Sequence, residues 1–163
     1  MTAGMPDRPA SSEKRNGETV SGRRLRVIEE RCVGCRICEL ACSMAHRGGG
    51  FNPRSALIRV ESNREMGLNK PVSHIDYPCI CRQCEPAPCA EACPAGAFDT
   101  NAALSIRLID QEVCTGCEQC LGACPRGMVL MDTETGKAGK CDLCGGEPLC
   151  VRYCPEGALA FGE

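Results

Sequence analysis

The chain has 163 residues, of which 17 are cysteine, whereas aromatic residues make up only 3% and tryptophan is absent. An ordinary core of aromatic side chains is therefore excluded, so something other than side-chain packing must hold the chain together. The formal net charge of −2 gives no support for nucleic-acid binding, and no segment approaches the ~20 apolar residues of a membrane-spanning helix.

The N-terminal segment, residues 1–26, is a polar tail with six basic and three acidic residues, which is typical of disorder. It has no apolar run that would serve as a signal peptide, and the stretch after Arg23 and Arg24 is too charged for a twin-arginine signal. The odd number of cysteines also argues against a secreted disulfide scaffold. We therefore expect a cytoplasmic protein with reduced thiols, whose tail is a partner-binding segment.

After the tail, one plan is repeated four times: a strand-like stretch leads into a cysteine-rich loop and then a short helix. The strand-like stretches are residues 25–28, 57–60, 104–109 and 128–131. The first helix is predicted over residues 39–46, because three glycines from Gly48 onward terminate it. Residues 132–137 have the turn chemistry of a hairpin.

Each loop carries four cysteines. Motifs 1 and 3 have the spacing C-x2-C-x2-C-x3-C, and motifs 2 and 4 lengthen the middle gap. The members are motif 1 (Cys32, Cys35, Cys38, Cys42), motif 2 (Cys81, Cys84, Cys89, Cys93), motif 3 (Cys114, Cys117, Cys120, Cys124) and motif 4 (Cys141, Cys144, Cys150, Cys154). Bacterial ferredoxins use this spacing to hold a 4Fe–4S cluster with three cysteines and lend the fourth to a neighbouring cluster. The sixteen cysteines therefore predict four 4Fe–4S clusters.

The spacing has a physical reason. Three thiolates of a tight loop can converge on three corners of a cube, whereas the fourth, on the following helix, points away toward a second cluster. In motifs 2 to 4 a proline follows the fourth cysteine and closes the helix, and Ser43 takes that place in motif 1. Backbone N–H groups of the loops are expected to donate to the sulfurs and tune the potentials.

Several alternatives stay open. Pairs of cysteines also hold structural zinc, but zinc would leave the third and fourth cysteine of each motif unexplained. Cys79 is interpreted as an unpaired structural thiol in preference to an alternative first ligand of motif 2. His46 and His74 are assigned no role. Lys137 and Lys140 are read as part of a solvated hairpin in preference to docking or potential-tuning charges.

Four clusters with complete protein ligand sets leave no open iron for a substrate, and there is no nucleotide-binding glycine loop. We therefore predict no catalytic residues and no enzyme, but a carrier that passes single electrons along closely spaced clusters. The clusters would add roughly −8 and bring the holoprotein to about −10, which favours basic partners. A row of clusters exposed at both ends also allows head-to-tail association of copies.

At these motifs, from about residue 31 to residue 163, the chain resembles the four-cluster iron–sulfur subunits of multi-subunit oxidoreductases, such as dimethyl-sulfoxide reductase and formate dehydrogenase. The resemblance implies an α+β fold of two fused bacterial-ferredoxin-like modules with short strands, short helices and cluster-binding loops. The implied division of the domain 27–163 is module A (about 27–50 plus 133–163), module B (about 75–132) and a connecting segment (51–74).

In this family the motifs are nested, so that the first pairs with the fourth and the second with the third. The ligand sets implied by the resemblance are site 1 (Cys32, Cys35, Cys38, Cys154), site 2 (Cys141, Cys144, Cys150, Cys42), site 3 (Cys81, Cys84, Cys89, Cys124) and site 4 (Cys114, Cys117, Cys120, Cys93).

Within the family, residues 35–43, 51–53 and 58–60 are most similar to the small members that accompany tungsten aldehyde oxidoreductases and benzoyl-CoA reductases. This similarity implies anaerobic metabolism and a catalytic partner that holds the tungsten cofactor. It also implies a second redox partner, either a flavin subunit that reduces NAD or ferredoxin. A free polyferredoxin that serves several enzymes is the alternative.

Overall fold

The computed structural model describes residues 24–46, 51–65 and 73–162, with the backbone alone at 63–65 and 73–75. Its strands are β1 (Arg24–Val27), β2 (Arg59–Glu65), β3 (Ser73–Cys79), β4 (Phe98–Asn101), β5 (Ile106–Ile109), β6 (Leu130–Met131), β7 (Ala138–Gly139) and β8 (Leu159–Gly162). Its α-helices are α1 (Ile37–His46), α2 (Pro88–Glu91), α3 (Gln119–Ala123) and α4 (Leu149–Arg152). This small mixed architecture confirms the predicted α+β class. In these ranges no helix is long and apolar enough to cross a membrane.

The strands form four antiparallel pairs: β1 with β8, β2 with β3, β4 with β5, and β6 with β7. The first pair joins distant parts of the chain, since Arg24 lies opposite Gly162 and Val27 opposite Leu159. An isolated two-stranded ribbon is only marginally stable. The ribbons therefore depend on the helices and loops, and among these α1 packs on α4 and α2 on α3.

All four predicted strand-like stretches overlap strands, namely β1, β2, β5 and β6. The first helix begins two residues earlier than predicted, at Ile37, and ends at His46 as expected. The hairpin is confirmed, because the Asp132 N–H donates to the Lys137 carbonyl and the Gly136 N–H to the Asp132 carbonyl. Since β1 begins at Arg24, the last three residues of the predicted tail belong to a strand, and residues 1–23 lie outside the described residues.

The core consists of two apolar clusters that include cysteines. The first contains Ala56, Ile58, Val60, Ile80 and Leu159 with Cys38, Cys42 and Cys150. The second contains Ala87, Val129 and Ala138 with Cys89 and Cys120. Residues 56–60 belong to the segment that was predicted only to connect two modules, so that segment also supplies core side chains.

Candidate iron–sulfur cluster sites

The four cysteines of site 1 line one cavity. Two of them precede α1, Cys38 lies in its first turn, and Cys154 follows α4. Burial raises the pKa of the Cys38 thiol to about 12, and the charges of Glu39, Cys154 and Cys35 add to this shift. The thiols of site 1 are therefore close enough to act on one another.

The four cysteines of site 3 line a second cavity. Burial raises the pKa of the Cys81 thiol, and the charges of Cys124 and Cys84 raise it further, whereas the ammonium of Lys140 lowers it. Three cysteines of motif 2 and the fourth of motif 3 thus surround one space.

Site 2 is also assembled from two parts of the chain. Burial raises the pKa of the Cys150 thiol to about 12, and the charges of Cys42 and Cys144 contribute in the same direction. Burial likewise raises the pKa of Cys141, with contributions from Cys81, Cys150 and Cys42. Cys141 is thus close both to its own group and to site 3.

At site 4, burial raises the pKa of the Cys120 thiol, and the charges of Cys93, Cys114 and Cys117 raise it as well. Three cysteines of motif 3 and the fourth of motif 2 are therefore close enough to act on one another. Cys79 is buried elsewhere, beside Glu61, and it lines neither cavity.

The four sites adjoin one another in numerical order. Helices α1 and α4, with the residues just after them, carry cysteines of both site 1 and site 2. Helices α2 and α3 do the same for sites 3 and 4. On α1, Cys38 and Cys42 are separated by about 6 Å along the helix axis. The link between sites 2 and 3 is the pair Cys141 and Cys81, whose charges interact.

The cysteine loops share a backbone feature: the residue before the second cysteine has a positive φ. These residues are Gly34 (67°), Gln83 (50°), Gly116 (71°) and Leu143 (57°). Two are glycines, for which this conformation carries no steric cost. A Cβ at Gly34 would collide with the Asp76 carboxylate, and one at Gly116 with the Gly136 carbonyl oxygen.

The fourth cysteine of each motif accepts a hydrogen bond from a backbone N–H. In the three motifs with Cys-Pro, the donor is the residue four positions later, namely Ala97 for Cys93 (3.4 Å), Met128 for Cys124 (3.3 Å) and Ala158 for Cys154 (3.2 Å). A glycine one residue before each donor has a φ of 61° or 62° and turns the chain back onto the sulfur. The predicted N–H donors are thus present.

Motif 1 lacks the proline, and its donor comes from elsewhere. Helix α1 continues for four residues past Cys42, so no local turn can reach the sulfur. Instead the N–H of Leu57, 15 residues away, donates to the Cys42 sulfur over 3.2 Å. The substitution of Ser43 for proline is therefore compensated by the segment before β2.

His46, to which sequence reasoning gave no role, borders site 2. Its Nε2 lies 3.1 Å from Asp142 Oδ1, and its Nδ1 lies 2.8 Å from the Cys42 carbonyl oxygen. The hydrogen bond to Asp142 and the contact with Cys42 raise the pKa of His46 to about 11. Asp142 also accepts the Cys144 N–H, at 2.8 Å. Because 96 residues separate His46 from Asp142, no local pattern signals this pair.

Lys140 is not on a solvated surface, and that part of the sequence interpretation is wrong. The residue is 5% exposed, and it lines the cavity of site 3. Its ammonium donates to Gln83 Oε1 at 2.7 Å and to the Arg107 carbonyl at 2.8 Å. Gln83 in turn donates through Nε2 to the Cys141 carbonyl, at 2.6 Å.

These features fit a 4Fe–4S cluster better than zinc. Four thiolates satisfy either metal centre. However, two cysteines of each loop would suffice for zinc, which would leave the third and fourth cysteine of every motif without a role. Backbone N–H donors on the sulfurs are also what tunes such clusters.

The 4Fe–4S dicluster domain matches residues 72–163, more than half of the chain. The chain belongs to this family. Among relatives of this dicluster-domain protein, the thiosulfate reductase electron transfer subunit PhsB of Salmonella typhi is 35% identical, and the match covers 83% of this chain and 72% of the relative. The polyferredoxin-like subunit of the aliphatic sulfonate oxidoreductase of Pyrococcus furiosus is 35% identical over 80% of this chain and 70% of its own.

Protein NrfC of Escherichia coli is 34% identical over 83% of this dicluster-domain chain and 62% of its own length. The solved active site complex BamBC of benzoyl coenzyme A reductase, as isolated, covers 86% of this chain at 24% identity, with a TM-score of 0.47. We draw no functional argument from a likeness at that level. The sequence resemblance is therefore confirmed as far as the iron–sulfur family.

Proposed function

We propose that this chain is a non-catalytic electron-transfer subunit that relays single electrons through four 4Fe–4S clusters held at sites 1 to 4. The observation that carries the proposal is that cysteines from two different motifs line one cavity at site 1 and another at site 3. When bound, each cluster supplies one-electron chemistry by alternating between two oxidation states. The cysteines would complete the ligand set of every iron, which leaves no position for a substrate.

The proposal includes two fused ferredoxin-like modules. Module A would hold sites 1 and 2 between α1 and α4, and module B would hold sites 3 and 4 between α2 and α3. The packing of these helices in pairs supports this division. So do the two separate apolar clusters, one containing Cys38, Cys42 and Cys150 and the other Cys89 and Cys120.

Partners are expected at the two ends of the row. Cys35 in site 1 and Cys117 in site 4 are exposed, as is Cys84 in site 3. We infer that one end meets a catalytic oxidoreductase subunit, with a tungsten aldehyde oxidoreductase as the preferred identity. The other end would meet a flavin subunit that reduces NAD, or ferredoxin. Relatives described as electron transfer and polyferredoxin-like subunits support the assignment to a complex. A cytoplasmic location agrees with seventeen unpaired thiols.

Metal analysis of the anaerobically purified chain tests the function. Four clusters require about 16 iron and 16 acid-labile sulfides per chain, together with a paramagnetic signal after reduction by dithionite. The variant Cys117→Ala, which alters site 4, should lose up to four iron atoms, and Cys79→Ala should lose none. A colourless protein that contains zinc would instead establish the alternative, a zinc-binding interaction protein.

Gentle anaerobic purification of the native complex tests the partner assignment. We expect a larger catalytic chain to co-purify in fixed ratio, and its metal content and substrate would then identify the enzyme. A chain that elutes alone, with full iron content, would favour the free polyferredoxin. Truncation of residues 1–23 and measurement of the mass of the assembly tests head-to-tail association, which an unchanged mass would exclude.

A further inference from the structure

The charges around site 3 differ from those around site 1. The side chains of Arg82, Arg126 and Lys140 line its cavity, and in the described part of the chain no carboxylate does. Two of these cations are exposed, whereas Lys140 is 5% exposed. Lys140 is the one buried lysine or arginine among the described residues. Its charge therefore acts in a region from which water is largely excluded.

The contacts of Lys140 leave its charge available to the site. Its ammonium donates to the side-chain oxygen of Gln83 and to a backbone carbonyl, and both acceptors are neutral. Gln83 lies between two ligands of site 3, Cys81 and Cys84. Lys140 also lines the cavity that the site 3 cysteines form. It thus stabilises negative charge at this site.

Site 1 is surrounded by charges of both signs. The cavity there is lined by Arg31, Arg36 and Glu156, and two buried carboxylates act on its thiols. The Asp76 carboxylate faces Gly34 of the motif 1 loop, and Glu39 directly follows Cys38. Glu39 also faces the Arg36 guanidinium at 3.6 Å, which offsets part of its charge.

We propose that Lys140 makes site 3 the most easily reduced of the four sites, so that the first electron added to the chain resides there. This inference rests on the proposed function, since it concerns clusters held at the four sites. Reduction adds one negative charge, and a nearby fixed positive charge stabilises the reduced form. Site 3 lies inside the row, between sites 2 and 4. Lys140 therefore raises the reduction potential of the cluster at site 3, in addition to linking Gln83 and Arg107 by hydrogen bonds.

Redox titration of the complex, with dithionite as reductant and paramagnetic resonance as readout, tests the inference. Lys140→Gln removes the charge but keeps hydrogen-bond donors, and Lys140→Arg keeps the charge. Lys137→Gln is the matched control, because Lys137 lies at the other end of β7 and its ammonium bonds to the Gln111 carbonyl. We expect Lys140→Gln to disfavour reduction of one cluster about tenfold, a shift of about 59 mV for one electron. The other two variants should leave all four potentials unchanged.

A second measurement does not require the lysine variants to fold. The redox transition that is missing from Cys84→Ala belongs to site 3, and it should be the one with the highest potential in the unsubstituted protein. The inference is overturned if another site has the highest potential, or if Lys140→Gln has full iron content and four unchanged potentials. A protein without iron would instead overturn the proposed function.

Discussion

Gly116 shows how single residues shape the cysteine loops. Its φ of 71° belongs to the left-handed region, and its Cα faces the carbonyl oxygen of Gly136 in the hairpin turn. A side chain here would be strained and would push the loop of motif 3 away from the hairpin. Gln83 and Leu143 adopt the same backbone conformation at the equivalent position of motifs 2 and 4. The left-handed conformation is therefore common to all four loops, whereas glycine occupies the position in only two of them.

We expect Gly116→Ala to lose the cluster at site 4, with iron falling from about 16 to about 12 per chain, because left-handed strain of about 1–3 kcal/mol is added to a collision with backbone. The control is Gly122→Ala in α3, where a Cβ would meet nothing within 4 Å. Iron analysis and thermal unfolding measure both effects. Equal iron content and stability of the two variants would contradict this account of the loop.

Cys79 is the one cysteine that belongs to none of the four motifs, and its surroundings are those of a structural thiol. It is 6% exposed, and burial followed by the charge of Glu61 raises its pKa, while Arg126 lowers it. Glu61 also accepts a hydrogen bond from the Tyr77 hydroxyl at 2.6 Å. The thiol therefore lies among polar side chains, one of which, Arg126, also lines the cavity of site 3.

We predict that Cys79→Ala keeps its full iron content and loses about 1 kcal/mol of stability as a small buried group is removed. In contrast, Cys81→Ala should lose the cluster at site 3. Iron content and the number of redox transitions in each variant are the measurements. Loss of a cluster in Cys79→Ala would make Cys79 the alternative ligand of motif 2.

At the scale of elements, the way each helix ends determines which N–H reaches the sulfur. Helices α2, α3 and α4 are four or five residues long and end just before a Cys-Pro pair. Helix α1 has ten residues and no proline, so the chain supplies the N–H of Leu57 from the next segment. The segment before β2 thus supplies, through a tertiary contact, the hydrogen bond that a local turn supplies in the other three motifs.

Leu57→Pro removes this donor, and Ala56 before it already has the extended conformation that proline requires of its predecessor (φ −67°, ψ 138°). We expect the potential of site 2 to fall by up to about 59 mV, a tenfold change in the one-electron equilibrium constant, because the reduced cluster loses a hydrogen bond. Leu57→Ala keeps the N–H and serves as the control in redox titration. If Leu57→Ala lowers the potential of site 2 as much as Leu57→Pro does, the effect comes from the lost packing of the leucine side chain and not from the lost N–H.

On the scale of the whole molecule, the thiols are part of the core. Five of the thirteen buried members of the two apolar clusters are cysteines, and the strand ribbons are too short to be stable alone. Without metal, the cysteines of sites 1 and 3 would line two unfilled cavities. The clusters are therefore expected to contribute directly to folding.

Removal of iron by anaerobic chelation should abolish cooperative thermal unfolding, as observed by circular dichroism, and reconstitution with iron and sulfide should restore it. The reason is that each site joins distant parts of the chain, such as motif 1 and Cys154. An iron-free chain that still unfolds cooperatively would show that the apolar clusters are sufficient.

The sequence by itself determined the local features: the cysteine spacing, the strand-like stretches, the end of α1 at His46 and the hairpin at 132–137. These depend on neighbouring residues and on the conformations that glycine and proline favour. Tertiary structure alone decided the burial of Lys140, the pairing of His46 with Asp142 and the Leu57 donor to Cys42. The two residues of each pair are 15 to 96 positions apart in the sequence. Such contacts arise only when separate loops fold against one another.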